Sequence, residues 1–389
     1  METPTKPAKK GSRGQFWLAL HGWCSLPIWI FLLFVCLTGT IATVASEIVW
    51  LYDPEVRASP QDVKPTVNFD TAIASIEKHY PHSKVQYIYI REPYLAWEAI
   101  TSMPDAPRAT VHINPYTGEV QGRTIWAGLQ NFMTGLHGWL LMPFSTGYNL
   151  GWYMVTALSI PMIGSLITGL VVYKRFWRGF LKPQLRRDKG SRIFWGDLHR
   201  LAGIWSIWFI TIMSVTGLWF LVQAVLNDNQ IPTYSIDPIM AREASPIVKD
   251  GSRPPVITIE EAFQKAEAAL PGLKPHYIVP PSNGFDYYYF YGTTGTPFFS
   301  DYSERVVLNP YTGEVMNAVA IKDIGGLEMI AQVVPTLHFG TFAGIYSKAV
   351  WFIFGSLLTL MVASGVVIWT KRAVKSTVSA FRPVPVAAE

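Results

Sequence analysis

Cysteine is nearly absent from this chain: 389 residues hold only Cys24 and Cys36. Both fall in the first long apolar run, where twelve helical residues set them roughly 18 Å apart, too far for a disulfide. The large loops hold no cysteine, so no disulfide framework organises them, and the two thiols read as packing residues. Charge is scarce as well. Asp, Glu, Lys and Arg make up 15% of the chain against 50% hydrophobic residues, and the mean hydropathy is +0.21. A soluble chain of this length carries about a quarter charged residues. There is no G-x-G-x-x-G and no C-x-x-C-H, so neither a Rossmann-type dinucleotide site nor a thioether-linked haem is encoded.

The apolar residues are clumped rather than spread. Four runs, 16–48, 150–173, 198–226 and 349–370, reach the roughly 20 residues needed to cross a bilayer core as helix. Basic residues give the orientation. Lys6, Lys9, Lys10 and Arg13 precede the first run. Lys174, Arg175, Arg178, Lys182, Arg186, Arg187, Lys189 and Arg192 fill the short link between the second and third, and Lys371, Arg372 and Lys375 follow the fourth. All three regions are expected in the cytoplasm. The net charge of +5 then reflects topology, and no nucleic-acid partner is needed to explain it. The first run is too long for a signal peptide and lacks an A-x-A-like site, so it reads as an uncleaved anchor.

The chain also repeats itself. "NPYTGEV" stands at 114–120 and again at 309–315. His21 precedes Thr38-Gly39 by the interval that separates His199 from Thr216-Gly217. His137 and His338 follow the two NPYTGEV copies, and Thr168-Gly169 matches Ser364-Gly365. Each half is helix, extracytoplasmic segment, helix, which makes a parallel repeat rather than an inverted one. The expected fold is an integral membrane α-helical protein with four transmembrane helices in two parallel repeats and two α+β periplasmic domains. Its parts are a cytoplasmic N-terminus (1–15), helix one (16–48), periplasmic domain 1 (49–135), an outer interfacial segment with helix two (136–173) and a basic cytoplasmic loop (174–197). Helix three (198–226), periplasmic domain 2 (227–337), a second interfacial segment with helix four (338–370) and a cytoplasmic C-terminus (371–389) follow. Within the periplasmic domains, 69–81 and 258–272 read as helices. Strands are expected at 85–90, 94–100 and 109–113, and again at 276–280, 285–292 and 305–308. In N-P-Y-T-G-E the proline fixes one turn position and the glycine supplies a positive φ, so the motif reads as a tight reversal between strands.

Four of the eight histidines, His21, His137, His199 and His338, sit beside Leu, Gly and aromatics at the edges of the apolar runs. One such residue is explained by a hydrogen bond to a carbonyl. Four at repeated positions point to function. His79, His82, His112 and His276 do not repeat and receive no role. The topology pairs His21 with His199 on the inner side and His137 with His338 on the outer side. Facing neutral imidazoles suit the two axial positions of a haem iron, whereas zinc lacks its further ligands here. Two b-type haems are expected, stacked from inner to outer leaflet. Gly39, Gly169, Gly217 and Gly365 either let a flat macrocycle approach the backbone or serve ordinary helix packing.

Together, "LHGW…LTG", the paired segments closing in "NPYTGEV", "LHGWLL…TGL", "LHRLAGIWS…TGLW" and "LHFGTFAG…SGVVIW" resemble the PepSY-associated transmembrane family across nearly the whole chain. The resemblance implies PepSY-like periplasmic domains, haem iron held by His21, His199, His137 and His338, and a bacterial inner-membrane reductase with both termini cytoplasmic. Members similar to this chain release iron from ferric siderophores, and a hydroxamate siderophore is the expected substrate. Electrons must come from a separate donor, a cytoplasmic reductase or membrane quinol, because the cytoplasmic parts are too short for a flavin or nicotinamide domain. The alternative class is a regulatory or binding membrane protein without redox activity, in which the histidines are incidental. A transporter is a third class, and it lacks an acidic or broken-helix site at the midplane. The topology is tested with cysteines placed at Asp105 and Asn283 in a chain whose Cys24 and Cys36 are alanine. Both should react with an impermeant maleimide added to intact cells, and labelling only after lysis would reverse the orientation.

Overall fold

A computed structural model describes residues 13–25, 28–58, 67–125, 128–143, 149–173, 176–241, 245–246 and 254–380. Lys6, Lys9, Lys10, Lys174 and Arg175, used above for orientation, lie outside the described residues. The chain forms two compact units. The first gathers Met1–Thr43, Thr134–Ala224 and Ala349–Glu389, and the second gathers Val44–Met133 and Val225–Lys348.

The first unit is helical. Three stretches, Leu150–Val172, Ile207–Asp228 and Gly344–Lys371, are each long and apolar enough to cross a bilayer. The run expected as one helix over 16–48 is instead α1 (Arg13–Ser25), α2 (Trp29–Thr43) and α3 (Ala45–Tyr52). The α1 and α2 parts pass as a span only together, with a 63° bend between them. The sequence at the break is Leu26-Pro27, and a proline cannot donate the N–H that would continue a helix. Among the described residues there are thus three such stretches, or four if the bent pair counts as one span. The third run is likewise divided, into α9 (Ser191–Trp205) and α10 (Ile207–Asp228). His21 therefore rides on α1 and His199 on α9, each a separate helix ahead of the span that follows it. The stretches just before the expected interfacial segments are helices, α5 (Gly128–Trp139) and α12 (Gly326–Phe339), which reach into those segments only at 136–139 and 338–339, each with its histidine in the last turn.

Before α5 the chain passes α4 (Phe69–His79), and after α5 it enters α6 (Leu150–Thr156) and α7 (Ser159–Val172). Small residues let α1 lie close along α7: a Cβ on Gly164 would sit 3.0 Å from Cys24 Sγ, so that thiol is a packing residue. After α8 (Phe176–Leu181), the buried Asp197 accepts from the Arg186 backbone at 3.1 Å and side chain at 2.8 and 2.9 Å. It also pairs with Arg200, which ties the basic loop to α9. The last span lies in α13 (Gly344–Ala380), which packs Trp351 and Phe354 against Trp208 and Phe209 of α10, mostly edge to face.

The second unit is built on one antiparallel sheet of eight strands in the order β4-β3-β2-β1-β5-β6-β7-β8. These are β1 (Lys84–Tyr89), β2 (Trp97–Met103), β3 (Ala106–Ile113), β4 (Val120–Thr124), β5 (Lys274–Val279), β6 (Tyr288–Thr293), β7 (Glu304–Leu308) and β8 (Val315–Val319). The two segments expected as separate domains therefore share a sheet, joined where Ile88 pairs with Ile278 and Tyr89 with Tyr277. That join removes two exposed strand edges. α4 and α11 (Ile259–Ala269) cover one face, burying Ile76, Ile88, Val111, Ile278, Phe290 and Val306 in a common core. NPYTGEV closes β3 onto β4 and β7 onto β8. Asn114 and Asn309 each accept two backbone N–H groups, and Gly118 and Gly313 take the left-handed conformation at φ 74° and 68°.

α11 opens on a capping box from Thr258 and Glu261. α4 is capped by Asn68 rather than by a residue inside 69–81. Asp70 of α4 instead accepts from the N–H groups of Ile259 and Glu260, both at 3.1 Å, and so caps the other helix. Replacing Asp70 with Ala should destabilise the purified full chain by about 1–2 kcal/mol in thermal unfolding. Asp70→Asn, which keeps an acceptor oxygen, should cost less, and equal effects of the two would contradict the assignment.

Candidate functional site

The site begins with a local pattern on the spanning helices. A Thr or Ser followed by Gly occurs at Thr38-Gly39, Thr168-Gly169, Thr216-Gly217 and Ser364-Gly365. In each, the hydroxyl turns back onto the carbonyl three residues earlier: Val35 at 3.1 Å, Ser165 at 3.2 Å, Met213 at 3.3 Å and Met361 at 2.8 Å. That carbonyl lies one turn before the glycine, on the same helix face.

Three of these places hold a histidine. His137 donates from Nδ1 to the Val35 carbonyl at 2.9 Å, and a Cβ on Gly39 would come within 2.5 Å of its Cε1. His199 donates from Nδ1 to the Met361 carbonyl at 2.9 Å, with Ser364 Oγ at 3.3 Å, and its Cε1 would lie 3.3 Å from a Cβ on Gly365. His21 has Thr168 Oγ1 at 2.9 Å and the Ser165 backbone as partners, and its Cε1 would lie 3.4 Å from a Cβ on Gly169. The glycines seat imidazole rings. Of the two roles left open for them by the sequence, neither names this one.

The partners fix the tautomer. A carbonyl only accepts, so Nδ1 of His137 and of His199 must carry the proton. Thr168 gives its own hydroxyl proton to the Gly164 carbonyl at 2.6 Å, so it too accepts from His21. In a neutral imidazole protonated at Nδ1, the lone pair is on Nε2. All three rings thus carry their ligand lone pair on the nitrogen farther from the helix that holds them.

The structure brings two of the four together. His21 and His199 face each other with ring centroids 6.3 Å apart and planes crossed at 75°. Among the described residues no three His, Cys, Asp or Glu side chains converge as a metal-binding group. The donor set here is two imidazoles, which matches the axial positions of a haem and falls short of a zinc site.

His137 is held on its helix by a strained end. Leu140 and Leu141 both take positive φ, 56°, although neither is glycine. Such a conformation costs roughly 1–2 kcal/mol per residue. Leu141 N–H reaches back to the Gly135 carbonyl at 3.0 Å, and buried Asn149 donates to the Met142 carbonyl at 2.9 Å. A Cβ on Gly151 would lie 2.0 Å from the Trp139 carbonyl oxygen, so the backbones of α6 and the end of α5 meet there, beside the stacked rings of Trp139 and Trp152. Asn149 and Gly151 position the site without touching the imidazole, and only the two-residue spacing Asn-x-Gly before an apolar run hinted at them. His338 lies in the second unit, in the last turn of α12, with Gly340 in the left-handed conformation at φ 72° just beyond it. Of the four unrepeated histidines, His112 meets Thr124 through Nε2 at 3.3 Å while its buried Nδ1 has no hydrogen-bond partner among the described residues, and His276 meets the Ile90 carbonyl at 2.9 Å.

These features define a multi-pass α-helical membrane protein with ordered histidines on its helices and a second unit built on an antiparallel sheet. The chain matches the PepSY-associated TM region over residues 18–372 and belongs to that family. No curated protein matches the chain.

Alanine substitutions separate glycines that seat a ring from those that do not. In an ordinary helix Gly→Ala stabilises by about 0.5–1 kcal/mol. Gly196, with open space around it, should behave so. Gly39→Ala should instead lower the thermal unfolding midpoint, with a loss of about 1–3 kcal/mol from overpacking. Stabilisation by Gly39→Ala would remove the glycine from the site.

Proposed function

We propose that this protein is a di-haem reductase of the bacterial inner membrane that passes electrons outward to a ferric siderophore and so releases ferrous iron. The observation that carries the reading is the His21–His199 pair: two neutral imidazoles, each tied at Nδ1, facing one another across the helices. Two imidazoles at about 2.0 Å from one iron place their ring centroids about 6 Å apart, which agrees with the 6.3 Å found. By the repeat, His137 and His338 form the second pair, with Thr216-Gly217 the counterpart of the three occupied seats.

Haem supplies the one-electron redox chemistry when bound. The chain's own residues do the rest. Nδ1–H donation to Val35, Met361 and Thr168 orients each ring and raises the basicity of Nε2, as hydrogen-bonded ligand histidines generally do. His21 and His199 would both be engaged in holding the haem iron and would leave no open place for an external ligand, which would suit electron transfer. The apolar helices around the rings keep the dielectric low. One electron per iron is needed, from a cytoplasmic reductase or membrane quinol, and the oxygen-rich chelator holds the ferrous product far less tightly than the ferric.

The detergent-purified protein should be coloured and give about two b haems per chain in a pyridine haemochrome assay, following the ligand count. His21→Ala or His199→Ala should remove one, and His137→Ala or His338→Ala the other. Reduced anaerobically, freed of excess reductant and mixed with a ferric siderophore and a ferrous trap, the protein should reoxidise in step with trapped iron. The outer-pair variants should slow this sharply. A colourless but folded preparation overturns the reading.

A further inference from the structure

The core side of the eight-stranded sheet takes Ile88, Ile278, Tyr288 and Phe290. Alternation sends Tyr87, Tyr89, Tyr277, Tyr289 and Tyr291 to the other face. There they form one connected cluster across the β1–β5 join. Tyr89 stacks on Tyr277 at 4.7 Å, Tyr87 meets both at 5.5 and 5.4 Å, and Tyr277 meets Tyr291 at 5.6 Å.

The hydroxyls divide the cluster. Tyr289 and Tyr291 donate to the Pro238 carbonyl at 3.2 Å and to Asp237 at 2.8 Å, so their phenols serve the fold. Those of Tyr87, Tyr89 and Tyr277 make no hydrogen bond to any described residue, though the rings are half-buried. Two cations lie on the same patch. Arg108 sits over Tyr87 at 5.8 Å and Arg91 over Tyr89 at 5.0 Å. Arg91 is paired with Glu98 at 3.0 Å, whereas Arg108 has no ion pair among the described residues. The patch therefore offers three unused O–H donors, one uncompensated guanidinium and stacked aromatic faces. Burial raises the phenol pKa of Tyr89 and Tyr277, and Tyr302 at the edge of the cluster is pushed up to about 12, so the hydroxyls stay donors at neutral pH.

We propose that this tyrosine patch docks an anionic, aromatic ferric chelate of the catecholate class, an inference that rests on the reductase reading and names its substrate. A tris-catecholate chelate carries excess negative charge on phenolate oxygens and presents aryl rings. Tyr87, Tyr89 and Tyr277 donate to those oxygens, Arg108 opposes the charge, and the rings stack. A hydroxamate chelate, the class suggested by resemblance, is aliphatic and neutral or cationic, so Arg108 gives it nothing and the rings little.

The test uses the full-length protein in detergent with gallium(III) in place of iron, because gallium keeps the shape and charge of the chelate and is not reduced. Titration calorimetry with gallium tris-catecholate should show binding, at least roughly tenfold tighter than with a gallium hydroxamate, as expected for one charge-assisted contact. Arg108→Gln should weaken catecholate binding by a similar factor and Arg108→Lys should restore part of it. The double change Tyr89→Phe and Tyr277→Phe removes two hydroxyls while keeping both rings, and should weaken binding severalfold at an unchanged unfolding midpoint. Equal binding of the two chelates, or catecholate binding indifferent to Arg108→Gln, overturns the proposal. Gallium binding involves no electron transfer, so that failure leaves the haem reading standing, and a haem-free preparation leaves the binding result interpretable.

Discussion

An imidazole laid on a helix at a glycine, with its Nδ1–H given to the carbonyl one turn back, is the contact on which the site depends. His137 on Gly39 and His199 on Gly365 make it, and His21 on Gly169 makes a variant in which Nδ1–H goes to the Thr168 hydroxyl. The Thr or Ser before each glycine uses the same carbonyl, which keeps a second hydroxyl out of the apolar interior unsatisfied. The contact costs side-chain freedom, and at Gly39, where a Cβ would lie 2.5 Å from the His137 ring, it demands a missing Cβ. In return it sets one tautomer and one ring orientation on three different helices. A histidine that merely satisfied itself in an apolar place would need the carbonyl but not the glycine, and would not face a second histidine across the bundle.

The second unit rests on a different constraint, the joining of two four-stranded halves at β1 and β5. The join places tyrosines from both halves side by side, and neither half alone would assemble the patch. Ion pairs anchor the margins of the unit. Arg305, nearly inaccessible, is held by Asp237 at 2.5 Å and Glu328 at 3.2 Å. Lys348 is shared by Glu47 and Glu92, each at 3.0 Å, with Tyr94 donating to Glu47 at 2.8 Å. These groups are spent on structure. Arg108 and the three central phenols are not, and that difference singles them out.

Much of the architecture was legible because it is periodic. The spans follow from hydropathy, and α4 and α11 from their apolar spacing. The NPYTGEV turn follows from the obligate conformations of Pro and Gly. β4 and β8 were missed. VQGRT and VMNAV are edge strands whose side chains are all at least partly exposed, so no buried–exposed alternation marks them. The sheet-to-sheet join left no trace either, since pairing residues nearly two hundred apart has no local signature. For the candidate site, repetition singled out His21, His137, His199 and His338. What each ring rests on was hidden, because a backbone carbonyl is the same in every residue. The strain at Leu140 and Leu141 was hidden too, since leucine gives no sign of a left-handed backbone.

The crossed planes of His21 and His199 make the central claim measurable in one experiment. Low-temperature electron paramagnetic resonance of the oxidised, detergent-purified protein should show low-spin ferric haem with the highly anisotropic signal that steeply crossed imidazoles give, and His199→Ala should abolish that component. Coplanar imidazoles give a rhombic low-spin signal, and open or thiolate-bound iron gives spectra of other kinds. Any of these in place of the anisotropic signal, or a signal indifferent to His199→Ala, would contradict the account.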